Sequence, residues 1–236
     1  MNQEIFVERL FSTLITGDRT AARDLAREAI DSGMSAEWLS HQAYWPVIDM
    51  VNNLYRADQL SNLAHHYAIR VLRSLISQTQ PLLARKSDQN RSILMFSGHS
   101  EADELAGQLT ADLVEAEGYN ITFGGGGIAY DEILAEVGER KPDVLLMFAS
   151  APSDAPIIRQ LIDTIREIGA CPNMQIVVGG GVFNRAEGLA EEIGADLWAK
   201  DPGELISSLN SDANRRATAT QRTVGRKRPM LKSEAA

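Results

Sequence analysis

The hydrophobic period of this chain changes once, at the polar stretch 86–90 (KSDQN). Before that point apolar residues recur every three or four positions. Phe6, Leu10, Leu14 and Ile15 form one set and Ala21, Leu25 and Ala29 another, with breaks at Gly17-Asp18 and Ser32-Gly33. This is the period of a helix with one buried face. Ser35 opens a third helix through Trp38, Ala43 and Val47, with Pro46 inside it or at a kink. A fourth runs over 58–83, where Leu60, Leu63, Ala64, Tyr67, Val71 and Leu75 make an apolar stripe. At ~100° per residue His65 falls roughly 110° and His66 roughly 150° from the centre of that stripe. No strand signal occurs in 1–84, so the first part of the chain, 1–86, reads as a four- or five-helix bundle.

After residue 90 short apolar runs alternate with amphipathic segments. Strands are expected at 92–97, 120–123, 143–148, 175–178 and 196–199, and helices at 102–117, 130–140, 155–169, 185–193 and 202–209. Continuous apolar strands separated by helices mean a parallel sheet covered on both faces. The fold class is α/β: an N-terminal helical bundle, then a five-stranded, flavodoxin-like (Rossmann-like) domain over 91–210 with strand order 2-1-3-4-5. Residues 211–236 lack apolar periodicity and read as a disordered basic tail.

Charge is unevenly spread over the 236 residues. The net charge is −9, yet the last 24 residues carry seven Lys/Arg (Arg215, Arg216, Arg222, Arg226, Lys227, Arg228, Lys232) against Glu234. The tail is therefore +6 and the body −15. A body this acidic repels nucleic acid, so direct nucleic-acid contact is expected only through the tail. A single cysteine, Cys171, rules out an intramolecular disulfide, and neither CxxC nor HExxH occurs. No apolar run nears the ~18–20 residues that span a bilayer. The N-terminus lacks the order of a secretory signal, and the reading is cytoplasmic.

In doubly wound sheets ligands bind beyond the carboxyl ends of the strands. Three features fall there: Ser97-Gly98-His99, the run Gly124-Gly125-Gly126-Gly127, and Gly179-Gly180-Gly181. Glycines let a bulky ligand approach the backbone, and an imidazole ligates metals through either nitrogen. The acids near these loops, Glu101, Asp103, Glu104 and Asp131, open helices and suit the helix dipole; Asp154 reads as an N-cap. No catalytic residues are assigned, and the chain is not expected to be an enzyme in its own right.

Bundle and α/β domain together resemble the cobalamin-binding modules of methyltransferases and of B12-dependent photoreceptor regulators. Their D-x-H-x-x-G motif corresponds here to Ser97-x-His99-x-x-Ala102, and their S-x-L serine to Ser150. Their GG element and its ending correspond to Val177-Val178-Gly179-Gly180 followed by Gly194-Ala195-Asp196-Leu197-Trp198-Ala199-Lys200-Asp201. The resemblance implies His99 as lower axial ligand of cobalt, with Ser97 standing where the family's aspartate holds the imidazole. Gly124, Gly125, Ser150, Gly179 and Gly180 would line the cofactor. The regulators' W-x9-E-H cap motif falls on Tyr55, His65 and His66, which places these residues over the upper face, with His66 a candidate upper ligand. On that cap the resemblance implies a light-responsive antirepressor that holds adenosylcobalamin and acts on a transcription regulator or another protein partner, with a homo-oligomer left open. Its alternatives are a corrinoid methyl carrier of a methyltransferase system, a haem or bilin sensor on the same fold, and a colourless nucleotide-binding domain.

Overall fold

A computed structural model of the protein describes residues 2–218 and 220–222. Helices α1 (Gln3–Thr16) and α2 (Arg19–Asp31) meet at Gly17, whose positive φ of 75° closes α1. Next comes one helical run with an internal defect: α3 (Ala36–Trp38), a π-helical segment (Leu39–Tyr44) and α4 (Trp45–Arg56). Pro46 explains the defect. It has no N–H for the carbonyl of Gln42 four residues back, and Gln3 Nε2 donates to that carbonyl instead, at 3.0 Å. The Trp45 N–H reaches back five residues to Ser40.

α5 (Asn62–Thr79) starts at the N-cap Ser61, later than the sequence suggests, and ends in a 3₁₀ turn over Gln80–Leu82. Its buried face also differs from the expected stripe. Ala68, Ile69, Leu72, Leu75 and Ile76 are inside, whereas Leu63 and Tyr67 are exposed. The stripe is thus rotated, and His65 lies on the inward side of the helix and His66 outward. Apolar spacing alone did not separate the two because Leu63 and Tyr67 sit at helical spacing from the core without belonging to it.

The α/β part follows as β1 (Ser92–Ser97), α6 (Glu101–Ala116), β2 (Asn120–Phe123), α7 (Tyr130–Arg140), β3 (Val144–Phe148), α8 (Asp154–Ile168), β4 (Gln175–Gly179), α9 (Gly181–Arg185), α10 (Leu189–Ile193), β5 (Leu197–Ala199) and α11 (Pro202–Ser211). The five strands are parallel in the order β2-β1-β3-β4-β5, as expected from the sequence. The single helix expected over 185–193 is two short ones, divided at Gly188, whose φ is 78°.

Alternation along the strands sorts the core. Ile93, Met95, Val144, Leu146 and Phe148 face one way and join α6, α11 and the whole bundle in one continuous cluster. Leu94, Phe96, Leu145 and Met147 face the other and pack on α7, α8 and the short helices. α6 is buried on nearly every side because it lies between bundle and sheet. It fixes where α4 and α5 stand relative to the strand ends.

Asp112 on α6 is 7% exposed and accepts a hydrogen bond from Gln108 Nε2 at 2.8 Å. Burial pushes its carboxyl from 3.8 up to about 6. The folded state then holds a proton that the unfolded chain has lost, so stability falls as pH rises through this window, and the deficit is complete above it. Asp112→Asn keeps the acceptor and removes the charge. It is expected to stabilise the protein by about 1–3 kcal/mol at pH 7.5 and to be neutral near pH 4. Urea unfolding at both values checks this, and equal midpoints for variant and parent at pH 7.5 count against it.

Beyond α11 the chain does not leave the body at residue 211. Gln175 Nε2 donates to the carbonyls of Asp212 at 2.8 Å and Arg215 at 3.1 Å. Asp196 accepts from the Ala217 N–H at 2.6 Å, and Gln221 Nε2 donates to the carbonyls of Glu191 and Ala195. This strap is held by polar contacts, which leave no apolar period to read. The expectation of disorder for 219 and 223–236 lies outside the described residues. No helix among the described residues is long and apolar enough to cross a membrane.

Candidate cofactor site

The loop carrying His99 is fixed from both sides. The Ser97 N–H donates to the Gly125 carbonyl at 2.8 Å, and the Gly98 N–H to the Phe148 carbonyl at 2.8 Å. Gly126 must be glycine, since a Cβ there would lie 2.1 Å from the Gly98 carbonyl oxygen. The glycine run after β2 therefore serves to seat the β1 loop. Ser100 caps α6 by accepting from the Asp103 N–H at 3.0 Å, and its hydroxyl donates to the Asp103 carboxylate at 2.8 Å. His99 itself is exposed at the end of this frame.

His99 lines the mouth of a cavity of about 80 Å3 between the sheet and helices α7 and α8. Its walls are apolar, chiefly Phe96, Ile128, Ile133, Met147 and Ile158, and Asp154 reaches it from the start of α8. Across the sheet a narrower slot of about 20 Å3 is lined by Gly179, Gly180, Phe148, Thr110 and Leu205. Trp45 closes it from the bundle, meeting Phe148 edge-on with ring centroids 6.4 Å apart. Nothing in the apolar pattern distinguished Trp45 from an ordinary core residue of α4.

Ser97 and Ser150 occupy the expected strand ends but act on other groups. The one hydrogen bond found for the Ser97 hydroxyl goes to the Gly98 carbonyl at 3.4 Å, not to His99. Ser150 Oγ accepts from the Gly181 N–H at 3.4 Å and supports Asp103. Burial pushes the Asp103 carboxyl up; its hydrogen bonds with Ser150 and Ser100 work against this, and the neighbouring Asp154 adds to it. Gly124 lies against the Phe96 ring, and Gly125 takes a positive φ of 77°. Asp154 does not cap its helix: Ser153 holds the N-cap position, and no side-chain capping bond is present there.

The cap residues gather at the same end. Tyr55 and His65 stack with centroids 4.1 Å apart. The Tyr55 hydroxyl donates to Asn62 Oδ1 at 2.6 Å, and His65 Nε2 shares a hydrogen bond with Asn52 at 3.2 Å. Burial, joined by the adjacent His66, holds the His65 imidazole below its usual value, with Glu101 opposing. His66 pairs instead with Glu101 at 3.6 Å, two residues beyond His99. Arg73 joins the same seam through Glu104. The rim thus brings Tyr55, His65 and His66 together, with each ring already engaged by protein neighbours.

Among the described residues no group of three His, Cys, Asp or Glu side chains is placed to build a complete metal site. A metal already held in the plane of a macrocycle needs only one or two axial donors from the protein. One exposed imidazole at a glycine-lined, apolar strand end suits that case. The residues present therefore fit a tetrapyrrole-bound metal, and His99 is the imidazole at this strand end.

Residues 7–79 match the family model described as a B12 binding domain. Monomethylamine corrinoid protein 1 of Methanosarcina mazei is 22% identical over 212 residues, a match that covers 86% of this chain and 94% of the relative. A corrinoid protein of Desulfitobacterium hafniense is 20% identical, covering 86% and 95%. The solved structure of the Methanosarcina barkeri monomethylamine corrinoid protein shares the fold, with a TM-score of 0.67 at 18% identity over 88% of this chain and 97% of that one. These matches support the resemblance to B12-binding domains, through residues 7–79 for the family model and through most of the chain for the relatives. The reading as a light-responsive regulator acting on a transcription regulator is corrected, because these relatives are named as corrinoid proteins, the Methanosarcina ones as monomethylamine corrinoid proteins. The cap pattern misled because Tyr55, His65 and His66 match the regulators' motif in only one of three residue identities. Haem finds no support among these names.

Proposed function

We propose that the chain is a corrinoid-binding methyl carrier that works between methyltransferase proteins. The single observation that carries this reading is the convergence, at one end of the sheet, of an exposed His99, two glycine-rich strand ends and a bundle rim that closes over them. The names of the relatives add the corrinoid and the methylamine setting. A bound corrinoid would supply a cobalt centre able to accept and release a methyl group.

The protein's share of that chemistry is positional. His99 would hold the group through a ring nitrogen from the β1 loop. Gly125 and Gly180 let the backbone come close without side-chain obstruction. Trp45 covers the slot beside Gly179 and Gly180, and the stacked Tyr55–His65 pair stands on the bundle. The rim is held to α6 by the exposed pairs His66–Glu101, Arg70–Glu101 and Arg73–Glu104. Exposed pairs are each worth about 0–1 kcal/mol, so a partner protein can displace them at little cost. The group carried in this reading is methyl rather than adenosyl, and the partner is a methyltransferase.

Loading the purified protein with hydroxocobalamin tests the reading. Retention of about one corrinoid per chain through gel filtration is expected, together with methylation of the reduced complex by a corrinoid-dependent methyltransferase fraction. Protein that elutes colourless sinks it.

A further inference from the structure

Among the described residues one buried side-chain oxygen or nitrogen has no hydrogen-bond partner: Oδ2 of Asp154. Leaving an acceptor buried and unpaired costs about 1–3 kcal/mol, so its retention calls for a partner in some functional state. The atom is not spent on its own helix, since Asp154 is the first residue of α8 and makes no capping bond. It lines the same cavity as His99. It also lies 3.0 Å from where a Cβ on Gly98 would stand. Adjacent Cα atoms are about 3.8 Å apart, which puts this carboxylate within one side chain's reach of residue 99.

The donors around it are mostly committed. The N–H groups of Ser97 and Gly98 go to Gly125 and Phe148, and the Ser100 hydroxyl goes to Asp103. Asp103, the other carboxylate beside Gly98, already holds Ser100 and Ser150. The exposed His99 ring is a side-chain donor of this loop with room to turn inward; its Nδ1 is 3.7 Å from the Cβ position of Gly127 on the cavity wall. A metal-bound imidazole generally donates its second ring N–H to a carboxylate or carbonyl, which fixes its orientation and raises its basicity. Ser97 does neither here.

We infer that Asp154 is the positioning residue for His99: when His99 ligates the cofactor metal, its other ring N–H donates to Asp154 Oδ2. This rests on the corrinoid reading above. It places the orienting carboxylate after β3, on a different element from the histidine, and it gives the orphaned oxygen its partner.

The test uses full-length protein labelled with 15N-histidine, loaded with hydroxocobalamin and reduced to the cobalt(II) form. Electron paramagnetic resonance then reports the axial donor, because 15N from the protein splits each line into two and 14N from the cofactor's own base into three. The two-line pattern should dominate in the parent. Asp154→Ala is expected to lower the ratio of histidine-ligated to unligated cobalt by 10- to 100-fold, and the isosteric Asp154→Asn by about 10-fold. Neither change should add to His99→Ala in the double variant. The Asn variant keeps the side-chain shape, so it carries the test where Asp154→Ala fails to fold. Parental ratios in Asp154→Asn overturn the inference, as does an equal loss of bound corrinoid when Asp154 is changed in the His99→Ala background. A parent that binds corrinoid without the two-line pattern overturns both this inference and the role of His99. A parent that binds none overturns the functional reading itself.

Discussion

His99→Ala is expected to lower the affinity for hydroxocobalamin by at least about 10-fold and to abolish any protein-derived nitrogen signal at the metal. Loss of a group that merely orients a ligand already costs about 10- to 100-fold, so loss of the ligand itself should cost no less. The chain has four histidines, and the structure separates them. Burial holds His41 below its usual value, and its ring lies in the π-helical segment of the bundle. His65 is stacked on Tyr55 and hydrogen-bonded to Asn52, and His66 faces Glu101. His99 lines a cavity at the strand ends. Because it is exposed and packs on little, the substitution should change stability by no more than about 0.5 kcal/mol. Titrating both His99→Ala and His66→Ala with the cofactor distinguishes the candidates. Parental affinity in the first with a loss in the second would move the ligand to the cap.

Which parts of this were legible in the sequence follows from what each kind of contact leaves behind. The parallel sheet and its order were readable because strands such as Val144–Phe148 are buried at every position and so appear as unbroken apolar runs. The bundle was readable from helical spacing, but its seam with α6 was not. Trp45 and Leu39 look alike to a periodicity argument, and only packing shows that Trp45 touches Phe148 across the domains. The strap after α11 is held by backbone carbonyls and by the side chains of Gln175, Asp196 and Gln221, so its pattern is indistinguishable from that of a polar tail. His99 stood out as an imidazole at a strand end. Asp154 did not, because an acid at the start of a helix already has an adequate explanation in the dipole; its unpaired oxygen is visible only in three dimensions. Reading the cap as a light-sensor motif failed for a related reason: Tyr55, His65 and His66 do meet, yet their rings are engaged with Asn62, Asn52 and Glu101.

A large stability effect is expected at Gly180. Its φ of 100° is one that residues with a side chain rarely adopt, and a Cβ there would lie 2.3 Å from the Ala149 carbonyl oxygen and 2.9 Å from the Ala149 nitrogen and carbonyl carbon. All three are backbone atoms, and they are held. The Ala149 N–H donates to the Gly179 carbonyl at 3.0 Å, and the Ala149 carbonyl accepts from the Val182 N–H at 3.3 Å. Relief therefore means breaking the junction that ties the end of β3 to the turn after β4. Backbone strain of this type costs about 1–3 kcal/mol before the clash is counted, so Gly180→Ala should lose about 3 kcal/mol or more. At about 2–4 °C per kcal/mol for a chain of this size, melting should fall by roughly 6–12 °C. Gly188→Ala is the control for conformation alone, since φ there is 78° but no atom lies within 4 Å of the added Cβ; about 1 kcal/mol is expected. Gly138→Ala, in α7 with open space and no positive φ, should be neutral or stabilising by up to about 1 kcal/mol. Calorimetry on the three variants ranks them, and equal melting of Gly180→Ala and Gly188→Ala would remove the steric half of the argument. Gly179 and Gly180 also line the slot that Trp45 closes. A displaced turn should therefore raise Trp45 fluorescence exposure as well as lower stability, which ties the fold defect to the site through a second, independent reading.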